Sequence, residues 1–584
     1  MYKNNKIIVV IPARGGSKGI PRKNIRLLDN KPLIDYSIET TLKSNYVDDV
    51  VVTTDDEEIK FMAKQFGGET IKRSGDLAKD DVPLDPVIYD AVKRKEESNK
   101  EKYDFIITIQ PTSPLLKSKT LDKTIEKLHN KSIDTIISVV DDRHLSWGVN
   151  EKNSSYYPLY EKRVNRQYLP KSFKETGGIF ATKREFVQEN SRLGNNIDLI
   201  EVSKDEAIDI DNYEDWWVAE RLLSKKRVLI KTDATNEIGT GHIYRGLAIA
   251  SKLANHDVLF LLDESKKLGI QIVENHNYPY LTHKSIEEKE EREEREEKGE
   301  REKEHNNSII GYEINSDLIN EIENYQPDIV INDILNTSYD YIAKLKENDY
   351  FVINFEDLGE GAKIADIVFD ELYEHQIPAK NVYYGQKYYI LKDEFYYQKQ
   401  KVITPEMEVN EIMLSFGGTD PNDLTRKTLK SLLKTEYKGK ITVILGLGYM
   451  DKSGIKEEFG KYSNIHIFEN VKNISEPMYK ADLIFTSAGR TMYEIASLGV
   501  PCVCLCQNTR ELTHSFGNAE NGFLNLGLGK NLKEEDIIKT IEKLLNDNDL
   551  RRDMNKRMLA IDLRHGFKNM MGVVKSKYKD FDKK

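Results

Sequence analysis

The chain of 584 residues has only three cysteines, Cys502, Cys504 and Cys506, all inside the stretch PCVCLCQ. That excludes a disulfide framework, and C-x-C-x-C with no second pair cannot complete a zinc site. The three read as small core residues sharing one side of a strand, in a reducing compartment. No apolar run approaches the roughly 18 residues that a membrane-crossing helix needs. The apolar run Lys6–Ile11 breaks at Pro12 and Arg14, which predicts no signal peptide. Positive charge is not in excess either. The net charge is −11, the wrong sign for a general binder of nucleic acid. These absences lead us to expect a cytoplasmic protein with no nucleic-acid and no membrane partner. The phosphate-binding signature G-x-x-x-x-G-K-S/T is also missing.

What is present is an ordinary globular composition, 39% hydrophobic and 32% charged, with enough apolar residues for several cores. The length suggests three or four folding units grouped into two functional parts. Charge is unevenly spread. Glu287–Glu304 holds eleven acids and six bases, which leaves a net of only −6 for the rest. This stretch, charged at every position but Gly299, reads as a solvated helix or disordered insertion in a surface loop.

Short apolar runs alternate with helix-like segments from residue 6 to about 223: KIIVVI, DDVVVTTD, YDFIITIQ and DTIISVVD read as strands. The fold class expected is α/β, with a mainly parallel sheet covered on both faces and ligands at the carboxyl ends of the strands. The glycine loop, Asp55, Gln110 and Asp141 fall at such ends. A helix closes near LLSKKR, and a second α/β part begins with RVLIKTDA. The boundaries expected are residues 1–224, then 225–400 with the acidic insertion 286–305, then 401–584. The last two read as Rossmann-like lobes.

The first strand runs into IPARGGSKGIPRKN. Gly15 and Gly16 let backbone N–H groups approach phosphate oxygens, and Arg14, Lys18 and Lys23 could surround a triphosphate. The alternative is a basic surface turn. Further on, AIDID places Asp209 and Asp211 two residues apart. On a strand they would point to one face, roughly 7 Å apart, and could hold a hard cation whose shell phosphate oxygens complete. The alternative has Asp211 capping the helix NYEDWWVAERLL, with Glu214 as capping-box partner; that accounts for Asp211 but not for Asp209.

The set IPARGGSKGIPRKNI, KPLIDYSIETTLKS, VVVTTDDEEI, KRSGDLAKDD, TIQPTSPLL, NRQYLPKSFKETGGIFA and AIDIDNYEDWWVAE resembles the nucleotidyltransferases that make CMP-sialic acid and related CMP-nonulosonates. The resemblance covers residues 5–223. It implies that Arg14, Lys18, Lys23 and Asn24 hold the CTP phosphates, with Arg14 and Lys23 in the catalytic set beside Gly15 and Gly16. Arg73 would contact the cytidine. Gln110, Arg166 and Gln167 would meet the sugar acid. Asp209 and Asp211 would bind Mg²⁺. No protein nucleophile is then needed, because positioning and electrostatics carry the reaction. The family also implies a homodimer through this part, with Asp141–Gly177 reaching toward the partner.

The second part opens on its own glycine turn, TDATNEIGTGHIYRGLAIASKL. His242 at the start of a helix would tend to stay neutral and could act as a base; a structural role is the alternative. IGTGHIYRGLAIA, LSFGGTDPNDLTRKTL and TSAGRTMYEIASLGVPCVCL resemble the UDP-sugar hydrolase of pseudaminic acid biosynthesis, a two-lobed glycosyltransferase-B-like fold. That resemblance implies hydrolysis of a UDP-linked diacetamido-trideoxy sugar by water, with no cofactor, and His242 as the base. Ser487, Ala488, Gly489 and Glu494 would lie at the UDP, with Gly417 and Gly418 nearby and Asn508 as a further contact. Arg510, Glu511 and His514 carry no assigned role. The expectation is a bifunctional enzyme using CTP, a nonulosonic acid and a UDP-sugar. The rivals for the second part are a glycosyltransferase and a non-catalytic sugar-nucleotide-binding module.

Overall fold

The computed structural model describes residues 2–152, 154–234, 240–284, 315–334, 336–372, 379–469, 471 and 473–578. The acidic insertion at 286–305 therefore lies outside the described residues. The chain divides into two compact units, Met1–Lys225 and Lys226–Phe581.

The first unit is built on seven strands: β1 (Ile7–Pro12), β2 (Asp49–Thr54), β3 (Glu69–Lys72), β4 (Phe105–Ile109), β5 (Thr135–Asp141), β6 (Phe173–Lys183) and β7 (Ile197–Glu201). Their order is β7-β5-β6-β4-β1-β2-β3. All neighbours are parallel except β6, which runs antiparallel to both β4 and β5. Helices α1 (Leu33–Leu42), α2 (Glu57–Gln65), α3 (Leu84–Asn99) and α4 (Ser118–Leu128) accompany the sheet. One core joins Ile7, Val9 and Ile11 to Ile34, Ile38, Leu121 and Ile125, and another joins Ile8 and Val10 to Ile88, Ala91 and Val92. Helices on both faces explain why β1 is an unbroken apolar run rather than an alternating one. Helix α5 (Tyr213–Leu223) closes the unit.

Two local devices aim residues at the strand ends. Asp56 caps α2, its side chain accepting from the N–H groups of Glu58 and Ile59, so the chain turns sharply after β2. In β6 the register with β5 shifts between Glu175 and Phe180, and Gly177 there has φ +69°. A Cβ on Gly177 would lie 3.1 Å from Gln110 Nε2 and 3.2 Å from Asp209 Oδ2, so this bulge brings three distant segments together.

The second unit has two all-parallel sheets. The first holds β8 (Arg227–Thr232), β9 (Asp257–Asp263), β10 (Tyr280–His283), β11 (Ile329–Asp333), β12 (Phe351–Phe355), β13 (Ile367–Asp370) and β14 (Val382–Tyr384), in the order β10-β9-β8-β11-β12-β13-β14. The second holds β15 (Glu411–Ser415), β16 (Lys440–Leu445), β17 (Ile465–Glu469), β18 (Leu483–Thr486), β19 (Cys502–Cys506) and β20 (Phe523–Leu528), in the order β17-β16-β15-β18-β19-β20. The two Rossmann-like lobes of a glycosyltransferase-B-like architecture are thus present. The three cysteines are fully buried on β19 and share one core cluster. Helix α6 (Gly241–Lys252) follows β8, and α7 (Thr491–Leu498) follows β18.

The last helix departs from a simple division at residue 400. Helix α8 (Gly566–Lys577) places Met570 and Val574 in the core of the first lobe, and the Tyr578 ring lies 4.8 Å from that of Phe351. Its apolar residues recur at helical spacing and find their partners on the other lobe.

Candidate functional site

In the first unit the loop after β1 is held by two carboxylates, Asp55 at the end of β2 and Asp80, neither of them assigned a role from the sequence. Arg14 and Lys18 both reach Asp80, at 2.7 and 2.5 Å, and the Gly15 N–H donates to Asp55 at 3.1 Å. A Cβ on Gly15 would press to 2.8 Å from Asp56 Oδ2, whereas Gly16 has open space around it. Asn24 donates to the Arg14 carbonyl at 3.0 Å, which braces the loop from below. Lys23 turns the other way. Its ammonium donates to the Ile210 carbonyl at 2.5 Å and stands 3.7 Å from Asp211. A Cβ on Gly19 would fall 2.2 Å from the Asp211 carbonyl oxygen, so loop and carboxylate segment are in close contact.

Residues 207–211 run outside the strands of the sheet, contrary to the strand expected for AIDID. Ile210 N–H donates to the Thr112 carbonyl, which pins the segment beside the end of β4. The two carboxylates differ. Asp209 is half-buried, and desolvation raises its pKa against the opposing pull of the Thr112 side chain and the charge of Lys23; its Oδ1 is buried without a hydrogen-bond partner among the described residues. The Asp211 side chain is 77% exposed. The cap of α5 is Asn212, in a capping box with Asp215, and not Asp211 with Glu214. The capping role that competed for Asp211 is therefore taken by its neighbour.

Arg73 is buried, donates to the Thr53 carbonyl at 2.9 Å, and leaves Nε without a partner among the described residues; burial lowers its pKa. Gln110 sits at Gly177 and Asp209, as the bulge requires. Arg166 and Gln167 lie on an exposed turn, Arg166–Tyr168, whose Gln167 carbonyl accepts from Arg143. Arg143 also binds Asp141 through two nitrogens and, with Arg166 nearby, draws that carboxyl down to about 2. So Arg14, Lys18, Lys23, Asn24, Gln110, Asp209 and Asp211 gather at the carboxyl ends of β1, β2 and β4. Arg166 and Gln167 belong to the flanking segment beside Asp141.

In the second unit the start of α6 meets the other lobe. A Cβ on Gly418 would lie 2.1 Å from Thr240 Oγ1, and Gly241 faces the Arg490 side chain at 3.4 Å. Gly417 has φ +86° and lies beside Ser487. His242 therefore opens into the seam that carries Gly417, Gly418 and the Ser487–Arg490 turn. Its Nδ1 is 2.6 Å from Asp333 Oδ1. Asp333 ends β11 fully buried and also binds Arg245, whose Nε donates to Oδ2 at 2.7 Å. Burial opposes the Asp333 charge, but Arg245 and His242 outweigh it and hold the carboxyl well below its usual range. With Nδ1 committed to Asp333, Nε2 is the nitrogen left to take a proton.

Glu494 is buried on α7 and paired with Lys392 at 3.0 Å. Glu511 accepts from the N–H groups of Ala488 and Gln507, at 3.2 and 2.7 Å, and burial pushes its carboxyl up to about 7. His514 Nδ1 is 2.6 Å from the Ala488 carbonyl, and burial pulls it down to about 4. Both groups thus hold Ala488, Glu511 through its N–H and His514 at its carbonyl. Asn508 is exposed and accepts from the Glu511 N–H, a turn-forming contact.

Comparison with known proteins finds a family for two stretches of the chain. Residues 8–176 match the family described as cytidylyltransferase, and residues 412–571 match the glycosyltransferase family 28 C-terminal domain. The chain is 32% identical over 228 residues to the CMP-N,N'-diacetyllegionaminic acid synthase of Campylobacter jejuni, covering 38% of this chain and 97% of that protein. Through its first unit, the chain belongs to the cytidylyltransferase family. It is 30% identical over 216 residues to the pseudaminic acid cytidylyltransferase of the same organism, covering 36% of this chain and 93% of that one. It is also 29% identical over 299 residues to an uncharacterized protein of Methanocaldococcus jannaschii; that match spans 48% of this chain and just over half, 56%, of that protein.

In the cytidylyltransferase unit Asp80 and Asp55 stand inside KRSGDLAKDD and VVVTTDDEEI, stretches that carry the resemblance without singling out either carboxylate for the loop; Asp55, at a strand end, was the more visible of the two. In the second unit Asp333 had a signal, a carboxylate closing the buried run DIVIND. Arg245 had one as well, three residues after His242 on the same helix face. No helix among the described residues is long and apolar enough to cross a membrane.

Proposed function

We propose that the cytidylyltransferase unit transfers CMP from CTP to a nonulosonic acid of the sialic, legionaminic or pseudaminic type. The observation that carries this reading is Lys23, whose ammonium joins the glycine loop to the Ile210–Asp211 segment at the strand ends. Arg14 and Lys18, paired with Asp80 here, are long enough to turn onto a triphosphate. Asp209 and Asp211 fit a hard divalent cation such as Mg²⁺, because Asp209 Oδ1 is buried with no other partner described. Such an ion, when bound, offsets charge on phosphate oxygens. The acid's C2 hydroxyl oxygen bonds to the α-phosphorus, the α–β phosphoanhydride bond breaks, and pyrophosphate leaves as the hydroxyl loses its proton. Arg166, near Asp141 on the flanking segment, suits the acid's carboxylate. Two relatives of nearly equal identity are named for different acids, so the class, rather than one acid, is what the likeness supports.

For the second unit we infer hydrolysis of a UDP-linked diacetamido-trideoxy sugar, without cofactor. His242 would take a proton from water while Asp333 holds its Nδ1, and Ser487–Gly489 and Glu494 would hold the nucleotide across the seam. The likeness of residues 412–571 to a glycosyltransferase domain favours transfer to an acceptor as the second reading. The two steps are not consecutive, since a condensation with a three-carbon unit must separate them, so the fusion implies no direct channelling. The exposed Trp147, Tyr156 and Tyr168 support a homodimer through the segment between Asp141 and Gly177, and three free cysteines suit a cytoplasmic setting.

Two assays test these readings. CTP with each acid in turn, followed by pyrophosphate release, identifies the substrate; no release with any of them would sink the first reading. UDP-sugar alone separates the alternatives for the second unit. A hydrolase frees UDP and sugar without an acceptor, and a transferase does not.

A further inference from the structure

A continuous line of buried charge crosses the seam of the second unit. It starts at His242, passes through Asp333 and Arg245, and continues to Glu371, where Arg245 Nη1 lies 3.5 Å from Oε2. The same Oε2 accepts from Arg490 Nη1. His242, Arg245, Asp333 and Glu371 come from the first lobe, and Arg490 from the turn that follows β18 in the second. Arg245, Asp333 and Glu371 side chains are 0% exposed, and Arg490 is 14% exposed. Glu356 flanks the line: it accepts from Arg245 at 3.0 Å and from the N–H groups of Glu371 and Leu372. Its φ is +52°, a costly conformation for a side chain of this size at a strand end.

The line is stiff at its far end. Tyr493 donates to the Glu371 carbonyl at 2.9 Å, Tyr389 donates to the Arg490 carbonyl at 3.0 Å, and the two rings stack with centroids 4.1 Å apart. The Arg490 guanidinium lies over the Tyr389 ring. Arg490 is also the residue that precedes the first turn of α7. A cation there opposes the helix dipole, so the position is tenable only with a carboxylate held against it. Glu371 is that carboxylate, and its remaining oxygen, Oε1, is buried with no partner among the described residues. Every charge on the line therefore depends on the next, and low local polarity makes the dependence strong.

We propose that Arg490 and Glu371 are positioning residues for His242, so that the nucleotide-bearing turn of one lobe sets the state of the base in the other. The proposal rests on the reading of His242 as the base of a UDP-sugar enzyme. When Arg490 holds Glu371, Arg245 stays on Asp333, and Asp333 is left only weakly basic toward the imidazole. When Arg490 is drawn away, Glu371 competes for Arg245, and Asp333 attracts a proton onto His242. Binding at the Ser487–Arg490 turn is thereby felt at the water-activating nitrogen without any residue touching both.

The test needs no substrate. Carbethoxylation of His242 by diethyl pyrocarbonate in the full-length protein, followed on the peptide that carries it, reports the neutral ring. Arg490→Gln is expected to slow it about threefold or more, and Glu371→Gln to speed it, since the two remove charges of opposite sign from one line. Arg490→Lys keeps the charge but not the fork stacked on Tyr389, so it is expected to slow the reaction by less than Arg490→Gln does. Unchanged rates in both glutamine variants, or changes of the same sign, overturn the proposal. If Arg490→Gln does not fold, Glu371→Gln and Arg490→Lys still decide: no acceleration in the first, or an effect on the second as large as the threefold expected of Arg490→Gln, overturns it. A separate arm adds UDP and UDP-sugar. Absence of UDP binding and of hydrolysis would remove the proposed function while leaving the ligand-free rates to judge the charge line.

Discussion

Replacing Asp333 by Asn perturbs two things at once, and their magnitudes can be worked out separately. Asp333 accepts from Arg245 through both oxygens and faces His242 Nδ1 at 2.6 Å, with none of its surface exposed. An amide has one acceptor oxygen, and its NH₂ would be turned against a donor. Arg245 then keeps a buried charge with a weakened partner, and breaking such a pair costs about 3–5 kcal/mol. Glu356 and Glu371 still reach Arg245, so the lower end of that range applies. For a unit of this size the melting temperature should fall by roughly 5–10 °C. The second effect is on the imidazole. With an amide NH₂ opposite, Nδ1 becomes the acceptor and the proton moves to Nε2, the nitrogen that in the proposed hydrolysis takes one from water. By analogy with other carboxylate–imidazole pairs, turnover should fall about 10²–10⁴-fold while UDP affinity changes little. Thermal denaturation, UDP release from UDP-sugar and UDP titration calorimetry measure the three quantities. Turnover within about threefold of the wild type would refute the reasoning, because His242 would then not depend on its tautomer.

Three further outcomes follow from named contacts. Gly19→Ala drives a Cβ to 2.2 Å from the Asp211 carbonyl oxygen and should raise KM for CTP and lower turnover together, whereas Gly16→Ala, with open space, should leave the folding stability of its unit unchanged; steady-state kinetics and melting curves check both. Burial pushes Glu356 up to about 8, above the ordinary value of 4.5 that it regains on unfolding. The folded state thus keeps a proton that the unfolded state has lost, so its contribution is fully present below about 4.5 and is lost as pH rises toward 8. Urea midpoints of wild type should fall across that window more steeply than those of Glu356→Gln; equal slopes would contradict the assignment. Asn212→Ala removes the capping box of α5 and should cost the first unit about 1 kcal/mol, read from its denaturation curve.

Much of this architecture could be read in the sequence, because buried parallel strands write themselves as unbroken apolar runs. IIVVI, DIVIND and CVCLC each became an internal strand of a sheet, paired on both sides. The two glycine loops were also legible as loops after buried strands, although Gly15 and Gly418 are crowded by the side chains of Asp56 and Thr240 and Gly16 has open space around it. What the sequence hid was pairing over long range. Asp80 is 66 residues from Arg14, and Glu371 is 119 residues from Arg490, and neither belongs to a periodic pattern. The antiparallel β6 was also invisible, because FKETGGIFATK mixes charged residues and two glycines with few apolar ones and offers no unbroken apolar run. The reading of AIDID as a strand failed for a related reason. Alternation of apolar and acidic residues fits a strand, but here the segment is held by the Thr112 carbonyl and a capped helix rather than by a neighbouring strand.

The account turns on the first unit joining a nucleotide loop to a carboxylate pair through Lys23. The most direct measurement is pyrophosphate release from CTP and a nonulosonic acid, with and without Mg²⁺, in the wild type and in Asp209→Asn. We predict metal-dependent release by the wild type and a loss of at least about 10²-fold in the variant, with a melting curve run beside it to show that the variant is folded. Release by Asp209→Asn at the wild-type rate, or release unaffected by chelation of the metal, would contradict it.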